Sequence, residues 1–407
     1  MKGALSHIHV LDLSRHLAGP WCAQMLGDMG ATVIKVERPG AGDDVRSFGP
    51  PFIKDKDGND TRQSPFFYAA NRNKKSVTID LASPEGQELV RTLAAKSDVL
   101  IENYRAGTLT RYGLGYEDIK KVRPDIVYCS VTGFGQTGPY RDRAGYDSVF
   151  QAMSGMMSIT GLPDGEPGGG PLKTGSAISD MTAGMYSSIA VLGALNYRAV
   201  SGEGQYIDMA LLDAQVAGLS VENTRHLLLD EVPGRLGHIS RNMVPTQTFK
   251  CKDAYLVLAV GNDGQFSKFI AIMGHPELAK DERYAKNAAR IKNRLALTTV
   301  LDEIFLTRTV AEWIATLAPA GVPCGAVNNI KQVFEDPHVQ SRGMRVEIEH
   351  PTLGKFPAVA NPIKFSATPI QYRSAPPMLG EHTAEVLKEY ANVDGARLEE
   401  LRRKGVI

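Results

Sequence analysis

Short apolar runs alternate with amphipathic segments through the first half of the chain. Residues 7–13 and 32–37 read as strands, and residues 21–29 between them read as a helix. The pattern then repeats. Residues 76–81 are strand-like, and Ser83-Pro84-Glu85 supplies a cap, a first-turn proline and an early acid. The helix this predicts places Leu89, Val90, Leu93 and Ala94 on one face. Residues 98–102 and 125–131 read as two further strands. Such alternation predicts an α/β fold with a mostly parallel sheet flanked by helices.

The uncharged apolar segment 181–197 lies between Asp180 and Arg198. At 17 residues it falls short of the ~20 that cross a bilayer, and it reads as a buried core helix. Beyond Arg198 the turn Ser201-Gly202-Glu203-Gly204-Gln205 leads into a strand and then a long helical stretch over 211–229. A loop rich in Gly, Arg and His follows at 233–245, then a strand at 253–260 and a charged, mostly helical region at 265–317. A terminal helix is expected near 381–390.

Composition narrows the function. The chain has 407 residues, enough for two or three domains and a large core. Its 46 Lys and Arg against 45 Asp and Glu leave a formal charge of +1, which argues against a nucleic-acid or membrane-surface partner. Cys22, Cys129, Cys251 and Cys324 are too dispersed for a zinc ribbon or a redox pair, so a reduced chain of the cytoplasm or an organellar matrix is the simplest reading. Met1-Lys2-Gly3-Ala4-Leu5 runs straight into a strand-like segment, so no secretory signal is expected. Forty glycines, about one residue in ten, imply tight turns or close backbone approach to a ligand.

Several motifs could carry chemistry. Gly133-Phe134-Gly135-Gln136-Thr137-Gly138 matches a dinucleotide fingerprint after a strand, but Pro139 follows and no helical periodicity begins. A glycine loop lining another kind of pocket fits better. Lys35, Arg38, Arg46, Arg72, Lys74 and Lys75 cluster at strand ends, where cations hold phosphates or simply face solvent. Asp180 is the last charge before the apolar helix, and its spacing favours an N-cap. A glycine-lined carboxylate in a cleft is also what covalent acyl chemistry needs. No G-x-S-x-G elbow exists, and His7 and His9 share a strand face without a third ligand nearby, so no metal is expected.

Taken together, the chain resembles the class III coenzyme A transferases, the family of formyl-CoA transferase, carnitine CoA-transferase and succinate-hydroxymethylglutarate CoA-transferase. The resembling stretches are Leu17-Ala18-Gly19-Pro20, Val36-Glu37-Arg38-Pro39-Gly40-Ala41-Gly42-Asp43, Asn71-Arg72-Asn73-Lys74-Lys75-Ser76, Glu102-Asn103-Tyr104, residues 133–139, Ala144-Gly145-Tyr146-Asp147 and Ser179-Asp180-Met181-Thr182-Ala183-Gly184. Gly202-Glu203-Gly204-Gln205, Gly321-Val322-Pro323-Cys324-Gly325 and Leu379-Gly380-Glu381-His382-Thr383 extend the likeness to the end of the chain. The text at 37–75 and 113–147 is closest to the succinate-hydroxymethylglutarate type.

The resemblance implies a Rossmann-like large domain over 1–200, completed by 340–407, and a smaller α+β domain over 228–325. Residues 201–227 and 326–339 would then be linkers, and the protein an interlocked homodimer. It also reverses the reading of Asp180, which falls on the family's catalytic aspartate. CoA contacts carry over to Arg15, His16, Arg38, Lys75, Asn103, Tyr104 and Arg111. Leu17, Phe48, Tyr146, His238 and Arg241 fall on the substrate side, with Arg241 or His238 a candidate partner for the distal carboxylate of a dicarboxylate. The implied partners are an acyl-CoA, with a succinyl-CoA donor plausible, and a carboxylic acid. No cofactor is implied beyond coenzyme A itself, as substrate.

Two departures from the oxalate-specific members stand out: Leu17 replaces a glutamine, and Gly237-His238-Ile239-Ser240-Arg241-Asn242 replaces a glycine run in a covering loop. The competing readings are a 2-methylacyl-CoA racemase, whose relatives place a histidine near position 146, and a non-catalytic CoA-binding protein.

Overall fold

The computed structural model describes residues 2–407. Strands β1 (His9–Asp12), β2 (Thr32–Glu37), β3 (Lys74–Thr78), β4 (Val99–Glu102), β5 (Val127–Thr132) and β6 (Tyr206–Ala210) form one sheet in the order β3-β2-β1-β4-β5-β6. Every pairing in it is parallel. Successive side chains leave opposite faces of a strand, and each face has its own core. Leu11, Ile34, Leu100 and Tyr128 join one apolar cluster, while Val10, Val33, Val99, Ile101, Val127 and Cys129 join the other.

Helix α1 (Ala18–Asp28) buries Cys22, Ala23 and Leu26 on the second face. Helix α2 (Pro84–Ala95) buries Leu89, Val90, Leu93 and Ala94 on the first, and the Ser83 side chain accepts the Gly86 N–H as its cap. Helix α3 (Asp147–Met153) precedes the long α4 (Ile178–Ser201). Helix α4 packs Ala183, Val191 and Ala194 into the second core, but Ile189 is 64% exposed and Val200 87%. The expected buried core helix is therefore buried along one stripe only. The expected single helix over 211–229 is two, α5 (Leu211–Gly218) and α6 (Val221–Leu229), because Ser220 turns to φ +39° between them.

The chain divides into two compact units. The first holds residues up to Met156, Lys173–Leu228 and Gln340–Ile407; the second holds Met157–Leu172 and Leu229–Val339. Residues 201–227, read from the sequence as a linker, contain β6 and so supply the sheet's sixth strand. The second unit carries a three-stranded antiparallel sheet of Thr246–Lys250, Tyr255–Ala259 and Cys324–Ala326. Phe249, Phe269, Phe305 and Trp313 fill its core.

Four of the six basic residues at the strand ends, Lys35, Arg46, Arg72 and Lys74, are neither a phosphate site nor solvated surface. Lys35 and Lys74 are fully buried. The Lys74 Nζ lies 2.9 Å from Asp12 Oδ2 and also donates to Pro20 O and Asn71 Oδ1, while Lys35 Nζ lies 3.0 Å from Asp43 and donates to Ser14 O. Arg72 grips Asp28 with Nε and Nη2, and Arg46 grips Glu37 in the same way. The sequence could not separate these from surface charges, since Asp28 and Asp12 lie 44 and 62 residues from Arg72 and Lys74, and nothing in the spacing of Asp43 and Glu37 marks a buried pair. Burial pulls the Lys74 ammonium down to about 8 against the attraction of Asp12. Burial raises Asp12 itself, but Lys74 and Lys35 outweigh it and hold its carboxyl below the usual range.

Removing one member of a buried pair leaves the other charge uncompensated, at about 3–5 kcal/mol. Lys74→Met should lower unfolding stability by that amount in urea titrations, and pairing it with Asp12→Leu should recover part of the loss. A single variant as stable as the parent would contradict the role given to this pair.

Candidate active site

A crevice opens where neighbouring strands send their chains to opposite faces of the sheet. After β1 the chain enters α1 on the second face; after β4, Leu109, Leu114 and Ile119 pack on the first. The loop that leaves β1 is fixed residue by residue. Asp12 Oδ1 accepts the Ser14 N–H at 2.9 Å. Asn103, just past β4, accepts the Arg15 N–H at 2.8 Å and donates to Arg15 O at 2.6 Å. Asp43 Oδ1 accepts the His16 N–H at 3.1 Å. These bonds hold His16 in a left-handed conformation, φ +67°, which a non-glycine residue keeps only when its surroundings over-determine it.

His16, Tyr104, Arg105, Arg143, Tyr146 and Asp180 line a cavity of about 260 Å³ within the first unit. Gly133 and Gly145 form part of its wall, and both press on the buried Phe150 ring. A Cβ at either would come within 2.6 Å of Phe150 Cζ, so only glycine lets the two loops close around that ring. The glycine motif at 133–138 is thus a pocket wall after β5, and no helix follows it until Asp147.

Asp180 is not the cap of α4. That place belongs to Ala177, and Asp180 lies inside the first turn. The capping is done by Asp147, the first residue of α3, whose Oδ1 accepts the Ser179 N–H at 2.7 Å and the Asp180 N–H at 3.2 Å. Asp147 is anchored in turn: its Oδ2 accepts Gln151 Nε2 at 2.5 Å. Gln151 is fully buried and accepts the Thr174 N–H, and Ser179 Oγ donates to Gln215. A carboxylate near a helix N-terminus normally draws stabilisation from free N–H groups. Here those donors already serve Asp147. Burial, with the adjacent Asp147 charge adding to it, pushes the Asp180 carboxyl up to about 7. The result is a basic carboxylate, fixed in place and facing an open cavity.

The other residues expected at the site fall into four groups. Asn103, Tyr104, His16 and Tyr146 line the cavity, with the Tyr146 ring 6.0 Å from His16 in an edge-on contact. Arg15 stacks 4.8 Å over the Tyr104 ring; Leu17 precedes α1; Phe48 is 43% exposed beside His16. Arg38 pairs with Asp44 and Lys75 with Glu385, while Arg111 ends the short helix Thr108–Arg111. His238 and Arg241 belong to the second unit, where His238 Nδ1 accepts the Thr248 N–H and Arg241 Nη2 donates to Gly234 O.

Reading the sequence missed Asp147, Gln151, Arg105 and Arg143. Asp147 stood inside the motif Ala144-Gly145-Tyr146-Asp147, and the two arginines flank the pocket loops, but nothing in their spacing reveals a shared cavity. Arg105 and Arg143 make no ion pair with a carboxylate among the described residues, and Arg143 stacks 4.0 Å over Tyr140.

Residues 5–383 match CoA-transferase family III. The chain is similar to the succinate–glutarate CoA-transferase of Agrobacterium fabrum, 46% identical over 97% of each chain. It is also similar to the human succinyl-CoA:glutarate CoA-transferase, 41% identical over 99% of this chain and 90% of that one. Among solved structures, a CaiB/BaiF family protein from Brucella suis superposes with a TM-score of 0.85 at 44% identity, covering 96% of this chain and all of the other.

A carboxylate raised to about 7 must lose its proton to act as a nucleophile. The donor kcat/KM should therefore climb with pH through about 7. Asp147→Asn keeps an acceptor for the two N–H groups but removes the neighbouring charge, so the climb should move to lower pH. A midpoint near 4 in the parent, or a shift to higher pH in the variant, would contradict this electrostatic account.

Proposed function

We propose that the chain, which belongs to CoA-transferase family III, moves CoA from succinyl-CoA to a second dicarboxylic acid by covalent acylation of Asp180. The observation that carries the proposal is Asp180 itself: a carboxylate of raised basicity at the cavity wall, its helix N–H donors committed to Asp147. One Asp180 oxygen attacks the thioester carbonyl, the C–S bond breaks, and CoA leaves as thiolate from a mixed anhydride. The thiolate then attacks the Asp180 carbonyl and expels succinate, leaving an aspartyl-CoA thioester. The acceptor carboxylate reverses the two steps. Acylation neutralises one of two adjacent carboxylates, so the repulsion present in the free site is relieved as the reaction proceeds.

Arg15, His16, Arg38, Lys75, Asn103, Tyr104 and Arg111 are assigned to CoA. The relatives named above act, by their names, on succinate and glutarate, both dicarboxylates. Arg143 and Arg105, unpaired at the same cavity, are suited to the distal carboxylate of such an acid. Leu17, Phe48 and Tyr146 are assigned to the acyl chain, and His238 and Arg241 remain candidates for the distal carboxylate. Exposed apolar side chains on α4 and α6, among them Val200, Leu227 and Leu228, support assembly as a homodimer. No helix among the described residues is long and apolar enough to cross a membrane, and all four cysteines are unpaired, which supports a cytoplasmic setting. CoA is the sole cofactor-like ligand in this scheme.

Incubation with succinyl-CoA followed by hydroxylamine should modify Asp180, located by mass spectrometry, and Asp180→Ala should lose transfer. An unmodified Asp180 with a fully active alanine variant would sink the covalent route. Arg143→Gln should cost roughly 10- to 100-fold in kcat/KM for glutarate as acceptor and far less for pentanoate, the loss of a charged hydrogen bond. Equal losses on both acids would remove Arg143 from the distal contact, and Arg241→Gln run beside it tests the loop candidate in the same way.

A further inference from the structure

The cations assigned to CoA around the β1 loop are already satisfied by one carboxylate. Asp44 Oδ1 lies 2.6 Å from Arg38 Nη2, and its Oδ2 lies 3.3 Å from Arg15 Nη1 and 3.7 Å from His16 Nε2. Two guanidiniums and an imidazole therefore point from different segments at a single anion. Both sides of this contact are held. Arg15 and His16 hang from a loop fixed by Asn103 and Asp43. Asp44 opens a short 3-10 turn, Asp44–Ser47, capped by Asp43, which is itself buried against Lys35. The Asp44 side chain is nonetheless 35% exposed, so its carboxylate has room to swing into solvent.

A carboxylate meeting two guanidiniums, with an imidazole beside them, is the arrangement a phosphoryl group takes at an arginine cluster. We infer that Asp44 is an internal counter-anion, occupying in the free protein the place that a phosphoryl group of CoA takes in the complex. This rests on the assignment of Arg15 and Arg38 to CoA. Binding then proceeds by exchange: phosphate displaces the Asp44 carboxylate from Arg38 and Arg15, and on release Asp44 recovers them. Two consequences follow for the reaction. The affinity for CoA is lower than the cations alone would give, so the product thioester leaves more readily. Selection also favours polyanions, because one carboxylate already neutralises part of the cationic field and a weak monoanion gains little by replacing it.

The test measures the dissociation constants of CoA and pantetheine by calorimetry on the full chain carrying Asp44→Asn, Arg15→Gln or Arg38→Gln. Asp44→Asn should tighten CoA about two- to fivefold, the scale of one partly screened surface charge, and leave pantetheine unchanged. Both arginine variants should weaken CoA. If Asp44→Asn weakens CoA while the arginine variants also do, Asp44 organises the cations and the exchange idea is wrong, though the CoA assignment stands. If the arginine variants leave CoA binding unchanged, the assignment fails and the inference with it. Asp44→Ser, which also lacks the charge, should reproduce the tightening; a loss of CoA affinity there overturns the inference as well.

Discussion

The carboxylate of Asp147 accepts the backbone N–H groups that open α4, and the properties of the pocket follow from that one contact. A helix start offers unpaired donors and a partial positive charge, enough to stabilise a nearby carboxylate. Had those donors turned to Asp180, its charge would be stabilised and its basicity low. With Asp147 holding them, Asp180 sits on the same helix turn without that stabilisation, half-buried and beside a like charge. Burial first, and the adjacent Asp147 charge second, push its carboxyl up to about 7. The contact also sets geometry: Asp147, Gln151, Ser179 and Gln215 tie α3, the turn before α4 and α5 into one frame that holds the Asp180 backbone.

Charge in the sheet's crevice is arranged in two layers. Beneath the pocket, Lys35, Lys74, Asp12 and Asp43 form a fully buried set that neutralises itself. Its energetic return is doubtful in stability alone, since desolvating such groups costs about what their attraction returns. Its structural return is plain. Asp12 and Asp43 present their remaining oxygens to the backbone of Ser14 and His16, and this keeps the β1 loop in the shape that faces the cavity. Above it, Arg15, His16 and Arg38 keep their polar ends at the surface, where a ligand can reach them.

The sheet was largely legible from the sequence because parallel strands buried on both faces read as short continuous apolar runs. Strands β1, β2, β4 and β5 lie where the runs place them. The break at Ser220 was not legible, since a left-handed serine has no compositional mark. Asp180 was singled out by position and by family likeness, yet its local role was misassigned. An Asp before an apolar helix is usually its cap, and the residue that does the capping stands 33 positions earlier. The lysines of the buried set were likewise indistinguishable from surface lysines, because burial depends on the acids opposite them and Asp12 is 62 residues from Lys74. For Asp180 and Lys74 alike, what sequence reading could not supply was a pairing between distant residues.

Burial and the adjacent Asp147 charge make Asp180 a carboxylate of raised basicity in the free protein. Carbon-13 NMR of the aspartate carboxyl carbons, with Asp180 assigned through the Asp180→Asn variant, measures this without turnover. The account gives a titration midpoint of about 7 for Asp180 in ligand-free protein. A midpoint near 4, the ordinary value for an aspartate, would contradict it.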